Sequence, residues 1–283
     1  MNQLLLAKPP LRGRRPTAHN KHLSGGQRQR KMSLFGGVDG CKSGWIVICL
    51  EDKNNWDWKL CETIHEVIEY TSQTALTLID MPIGLKNYGL EERICDKAAR
   101  ILLGYPRMFS VFRVPPRPAV YASSYKDGCI ISEQITGKKI SKQTWGIVPK
   151  IKEIDTVFAK NPDLQNTIRE THPEVCFTCL SGSPMQHSKK TKTGITERLH
   201  VLKKVCPFSE NIFTTLTRSI SYKSALSDDI IDALAGALSA QSAWQKSVIL
   251  GNNEVDPKNL RMEIVYGFST DKINRIGDAH WNQ

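Results

Sequence analysis

Beyond position 33 the apolar residues of this chain come in short runs. Residues 34–41 form one run, and Gly44-Trp45-Ile46-Val47-Ile48-Cys49-Leu50 forms the next. Runs of this length, bounded by turn residues, predict two strands joined by a tight turn. Trp56-Asp57-Trp58-Lys59-Leu60-Cys61 alternates and predicts a third strand, with Asn54 and Asn55 turning the chain before it. Thr63-Ile64-His65-Glu66 has the spacing of a capping box. Val67 and Ile68 fall on the face of Ile64, so a helix follows. Residues 75–80 are mainly apolar up to Asp80 and predict a fourth strand. The order is strand, strand, strand, helix, strand.

From Pro82 to about Arg169 the pattern becomes irregular. Residues 95–103 read as helical. Pro106, Pro115, Pro116 and Pro118 then enforce loops that carry Arg107, Arg113 and Arg117. Residues 151–159 predict another helix. Residues 171–177 predict a fifth strand, with Pro173, Val175 and Phe177 on one face and His172, Glu174 and Cys176 on the other. A helix near 194–204 follows, then an acidic one from Ser227 to about Trp244. Its Ala233, Ala235, Gly236 and Ala237 allow a close approach to a sheet. No internal repeat is present.

A chain of 283 residues can bury one substantial core, in one domain with insertions. Its 40% hydrophobic and 24% charged residues are ordinary for a globular protein, and no apolar run approaches a membrane span. The net charge of +11 is uneven. Residues 1–31 carry eight cations (Lys8, Arg12, Arg14, Arg15, Lys21, Arg28, Arg30, Lys31) and no Asp or Glu. With Pro9, Pro10, Pro16 and a Gly25-Gly26 pair, residues 1–32 read as a disordered basic extension. Three origins fit: a start upstream of a true start at Met32, a nucleic-acid-binding arm, or an Arg-rich targeting peptide. Eight cysteines in apolar contexts such as Cys41, Cys49 and Cys61 predict small buried hydrophobes and a reducing, cytoplasmic setting.

The acidic residues sit where chemistry is expected. Asp39 ends the first apolar run, in Val38-Asp39-Gly40. Asp80 ends the fourth, and the following Met81-Pro82 holds its backbone extended. Asp228, Asp229 and Asp232 open the last helix. Strand-end acids with late helix acids are what a carboxylate-held divalent cation requires, because such ions take fixed hard oxygens. Each acid also has a structural reading. Asp-Gly is a common turn pair, and acids in a first helical turn after Ser227 match the helix dipole. Asp232 lies deeper, where that benefit fades. With Asp229 it makes an i, i+3 like-charge pair that destabilises a helix unless something binds it.

Several motifs together resemble a family of predicted ribonuclease H-like nucleases, known mainly as a domain of unknown function. They are Gly37-Val38-Asp39-Gly40-Cys41-Lys42-Ser43-Gly44-Trp45, Ile79-Asp80-Met81-Pro82-Ile83-Gly84 and Cys95-Asp96-Lys97-Ala98-Ala99-Arg100. Ser110-Val111-Phe112, Gln143-Thr144-Trp145-Gly146-Ile147-Val148-Pro149-Lys150, His172-Pro173-Glu174 and Ser188-Lys189-Lys190-Thr191 follow. Asp228-Asp229 through Asp232-Ala233-Leu234 completes them and resembles the last acidic pair of the resolvase RuvC. The resemblance implies an α/β fold, a ribonuclease H-like mixed sheet flanked by helices. It implies one such domain over 33–283, with a helical and loop insertion between strands four and five at about 84–168. In a nuclease of this fold the acids of strand one, strand four and the last helix converge. Asp39, Asp80, Asp229 and Asp232 would hold two Mg or Mn ions roughly 4 Å apart. These four and Glu174 are the catalytic candidates, with nucleic acid as partner.

Glu174 is a further ligand, a general base or a solvated sheet residue. Arg107, Arg117, Lys150, Lys189 and Lys190 bind phosphate or simply form a solvated surface. Cys176-Phe177-Thr178-Cys179 with His172 and His187 is a weak zinc pattern, since positions three apart on a strand face opposite sides. Two other functions compete with a metal-dependent nuclease. One is an actin- or sugar-kinase-like phosphotransferase, whose first phosphate loop is also an aspartate before a Gly-containing hairpin; no second such loop follows Asp80. The other is a non-catalytic nucleic-acid-binding protein, against which a retained cluster of acids argues.

Overall fold

β1 (Leu34–Cys41) is buried along most of its length, as a strand covered on both faces must be. It pairs antiparallel with β2 (Gly44–Leu50), which pairs antiparallel with β3 (Trp56–Cys61). After α1 (Ile64–Tyr70) the chain returns through β4 (Thr74–Ile79), parallel to β1 on its other side. β5 (Ile168–Glu170) adds in parallel to β4, giving a mixed five-stranded sheet of order β3-β2-β1-β4-β5. These observations come from a computed structural model that describes residues 33–52 and 54–268. The basic extension expected over 1–32 lies outside the described residues.

Between β4 and β5 run α2 (Ile94–Leu103), a 3-10 turn (Arg107–Ser110), α3 (Arg117–Val120), α4 (Tyr125–Thr136) and α5 (Lys142–Phe158). After β5 come α6 (Pro173–Ser181), α7 (Lys192–Val205), α8 (Ser209–Ser219) and α9 (Ser227–Gln245). A small hairpin of β6 (Val248–Leu250) and β7 (Ile264–Tyr266) follows. Alternation along β2 sorts the two faces of the sheet. Ile46, Ile48 and Leu50 pack with α6, α7, α8 and α9 through Phe177, Leu202, Leu216 and Leu234. Trp45, Val47 and Cys49 pack with α1 and α5 through Ile64, Val67, Ile151 and Phe158. Within the segment expected as an insertion, α5 therefore serves as a covering layer of the sheet itself.

The seam between β1 and α9 is the tightest in the fold. A Cβ on Gly37 would lie 2.0 Å from the Ala233 carbonyl oxygen and 2.2 Å from the Ala237 nitrogen. Gly236 returns the fit, with space for a Cβ only 3.3 Å from Gly37 Cα. The small residues anticipated in α9 are the ones used here.

Three elements depart from expectation. Residues 171–177 are not a strand: β5 ends at Glu170, and α6 begins at Pro173 with His172 as its N-cap. Proline suits the first helical position because its missing N–H has no helical partner there. The apparent alternation is accidental, since all of Pro173 to Leu180 is buried. α5 starts at Lys142, nine residues before the helix expected over 151–159, and runs through Pro149. α9 takes Leu226 as its N-cap and includes Ser227. All eight cysteines are buried and free. Cys176 and Cys179 sit in different hydrophobic clusters and join no metal-ligating group among the described residues. No described helix is long and apolar enough to cross a membrane.

Gly37→Ala is expected to destabilise the protein by about 3 kcal/mol or more, the upper range for overpacking against backbone. Gly146→Ala, which meets nothing within 4 Å on α5, should stabilise it by about 0.5–1 kcal/mol. Urea unfolding of the two variants checks the pair. Equal stability for Gly37→Ala would mean that α9 does not touch β1 as described.

Candidate functional site

Asp39 pairs in register with Ile46, on the face of β1 that meets α9. β1 continues two residues past it to Cys41, so Asp39 is inside the strand rather than at its end. Asp80 follows β4 and donates its N–H to the Val38 carbonyl at 2.9 Å, which sets it beside Asp39. Asp232 lies one residue before Ala233, so the Gly37 seam brings its carboxylate down to the same place. One carboxylate oxygen each of Asp39, Asp80 and Asp232 lies within 4.8 Å of the others. Asp39 is 6% exposed and Asp232 2%, while Asp80 is half-buried.

Burial raises the proton affinity of these acids. Asp39 is raised well above the usual carboxylate value by burial and by the charges of Asp80 and Asp232. Burial pushes Asp80 up to about 6, with Lys189 opposing and Glu174 and Asp229 adding. Burial pushes Asp232 up to about 7 against the pull of Lys189. Lys189 enters from the α6–α7 loop, and its Nζ is ion-paired with Asp232 Oδ2. Burial works against its charge, but Asp232, Asp39 and Asp80 hold the ammonium protonated. Asp39 Oδ1 accepts the N–H of the next residue, Gly40, at 2.7 Å. Asp232 Oδ1 is buried with no partner.

Glu174 is not on a strand face. It sits in the first turn of α6, 6% exposed, with Oε1 ion-paired to the fully buried Arg198. Its Oε2 is buried and unpartnered, and its charge raises both Asp80 and Asp232. Asp229 takes the structural role instead. Its Oδ2 accepts the Leu226 N–H at 2.8 Å and caps α9, and it stands outside the cluster of three. Hard oxygens that converge, that of Asp232 buried without a hydrogen bond, fit Mg or Mn better than softer metals.

The chain belongs to the family described as Protein of unknown function (DUF429). The match covers residues 37–255 and so takes in every acid of the cluster together with Glu174 and Lys189. No curated protein and no solved structure matches the chain significantly.

The other cations separate into rim and scaffold. Arg117 is buried, donating to Asp155 at 2.9 Å and to Asn87 at 2.7 Å and ion-paired with Asp256. It is part of the core, and its expected place among the phosphate-binding residues is corrected on that ground. Lys150 donates to the Gly44 carbonyl and lies 4.7 Å over the Trp45 ring, which fixes the turn after Asp39. Arg107 donates to the Gln186 carbonyl at 3.0 Å, on the loop that carries Lys189. Lys190 is exposed. His172 also belongs here. Its Nε2 donates to the Ser110 carbonyl at 3.3 Å, and its Nδ1 is buried and unpartnered.

The sequence gives no local signal for Arg198, 24 residues from Glu174, or for Arg93, 77 residues from Glu170. Arg93 binds Glu170 at 2.6 and 2.9 Å, Asp96 at 2.6 and 3.0 Å and the Ile83 carbonyl at 3.2 Å. Glu170 also accepts the Ile83 N–H at 2.6 Å. That network pins the chain just after Asp80 to β5.

Each acid of the cluster binds its proton more tightly folded than unfolded. Stability of the metal-free protein should therefore fall as pH rises from near 3.8 through about 6 and about 7. Asp232→Asn should flatten that fall, so the variant gains on the wild type between pH 5 and about 8 by a few kcal/mol. Melting curves in chelator across that range check it. A constant difference between the two proteins would show that Asp232 titrates normally. Arg117→Ala should cost about 3–5 kcal/mol in urea unfolding, because two buried carboxylates lose their counter-charge.

Proposed function

We propose that this protein is a metal-dependent nuclease, in which Asp39, Asp80 and Asp232 hold divalent Mg or Mn for hydrolysis of phosphodiester bonds in DNA or RNA. The observation that carries the reading is the convergence of three carboxylates within 4.8 Å, with buried oxygens of Asp232 and Glu174 left without hydrogen bonds. The strand order β3-β2-β1-β4-β5 supports it, with acids on β1, just after β4 and on the last long helix. That is the arrangement implied by the ribonuclease H-like resemblance.

When bound, such an ion polarises a phosphoryl oxygen and lowers the pKa of a coordinated water. The chain's residues do the rest. Asp39 and Asp232, buried and fixed by the β1–α9 seam, orient the cation. Glu174 is held by Arg198 with Oε2 free to accept a proton or a hydrogen bond. Arg107 and Lys190 counter the repulsion that an acidic cluster exerts on an incoming phosphate. Beside Arg107, Tyr105 and Phe109 are 83% and 73% exposed, with ring centroids 6.0 Å apart. Exposed aromatic rings next to a cation suit the stacking of unpaired bases.

The phosphotransferase reading is weaker. It needs a second phosphate loop near Asp80, but Met81 and Ile83 are buried and Glu170 takes the Ile83 N–H. A non-catalytic nucleic-acid binder has no use for buried acids that repel phosphate.

Mg²⁺ or Mn²⁺ should raise the melting temperature of the wild type, since the ion binds only the folded state. Asp80→Asn and Asp232→Asn should keep or raise metal-free stability, lose most of the metal-induced gain and abolish hydrolysis of a panel of single-stranded, hybrid and branched nucleic acids. A wild type indifferent to both metals would sink the proposal. Arg107→Ala should weaken binding of single strands about tenfold, losing about 1.4 kcal/mol, a larger effect than its loss of the Gln186 bond has on melting temperature.

A further inference from the structure

The acidic cluster already contains a cation supplied by the chain. Lys189 Nζ is ion-paired with Asp232, whose side chain is 1% exposed, and its charge is also felt by Asp39 and Asp80. Glu174 has its own buried counter-ion in Arg198. Asp229 is tied to the Leu226 N–H at the end of α9; of the four other carboxylates at the site, two are thus compensated internally, and Asp39 and Asp80 remain. One divalent ion balances that remainder. Two ions would leave a buried excess of positive charge beside Lys189 and Arg198, which is costly in a poorly solvated place.

Geometry agrees with the charge count. Asp39, Asp80 and Asp232 offer one shared point within 4.8 Å, and Asp232 divides its two oxygens: Oδ2 to Lys189, Oδ1 buried and unpartnered. Glu174, 6% exposed, has an unpartnered Oε2, and its charge acts on Asp80 and Asp232. We propose that the site takes one divalent cation, and that Lys189 occupies the position where a two-ion site holds its second. The inference rests on the metal-dependent reading above and specifies it. Lys189 is then a fixed positive charge facing the substrate phosphate, without the exchange that a second ion undergoes. Its stem comes from the α6–α7 loop, which Arg107 ties to the 3-10 turn through Gln186.

Isothermal titration of Mn²⁺ into the metal-free full chain tests this, with wild type, Lys189→Met and Lys189→Arg compared and melting curves taken for each. The wild type and Lys189→Arg are expected to bind one Mn²⁺ per chain. Lys189→Met is expected to bind a second ion, or to bind the first at least about tenfold more tightly, because a cation has left its neighbourhood. Two Mn²⁺ ions in the wild type would overturn the inference while leaving the nuclease reading standing. So would a folded Lys189→Met variant with unchanged stoichiometry and affinity. If Lys189→Met does not fold, the wild-type stoichiometry decides. No saturable Mn²⁺ binding by the wild type would overturn both readings.

Discussion

The site depends on how closely α9 can lie against β1. Gly37 has no room for a side chain, and Ala233, Gly236 and Ala237 present almost none. A helix that rested on larger residues would stand off the sheet by roughly the width of an atom layer. Asp232 would then leave the point it shares with Asp39 and Asp80. The same contact removes water from Asp232 and Asp39, and that burial is the first cause of their raised proton affinity. Packing and electrostatics therefore cannot be tuned separately here. The seam that gives the fold its central contact is also what makes three aspartates costly to ionise without a cation.

Buried charge elsewhere in the protein is handled differently. Around Arg117, both oxygens of Asp155 accept hydrogen bonds from Arg117, with Tyr121 and Lys258 adding to one of them. Asp256 accepts from Leu85, Lys258 and Leu260 N–H groups as well as pairing with Arg117. Around Arg93, Asp96 and Glu170 use both oxygens. These networks close on themselves and hold the segments that follow Asp80 and precede α6. Satisfied buried ions of this kind specify one arrangement of loops, although an apolar substitute of the same shape is often as stable.

Much of this could be read from the chain. Strands β1 to β4 and helix α1 follow directly from apolar runs and a capping box, because their patterns are local and their turns are marked by Asn, Gly and Thr63. Asp39, Asp80 and Asp232 stand out as acids attached to apolar elements. What failed was non-local. Glu174 looked like the polar side of a strand because a fully buried helix has no polar face to show its period. Arg117 looked like a surface cation because its partners Asp155 and Asp256 are 38 and 139 residues away. Arg198 and Arg93 carry no motif at all. Their meaning lies in carboxylates that only the fold brings to them.

Asp229 and Asp232 show why spacing alone does not assign a role. They are three residues apart on one helix. Asp229 is half-buried, and its Oδ2 takes the Leu226 N–H, so the end of α9 accounts for it. Asp232 lies a turn deeper, where no backbone N–H is free to receive it. One oxygen meets Lys189 and the other meets nothing. A structural acid in this protein has its oxygens answered, as Asp155, Asp256 and Asp96 do. Asp232 and Glu174 depart from that rule, and their charges act on each other and on Asp80. A buried oxygen without a hydrogen bond is destabilising by about 1–3 kcal/mol. These two oxygens belong to residues whose charges act on one another and on Asp80, and they are what the proposed cation would answer.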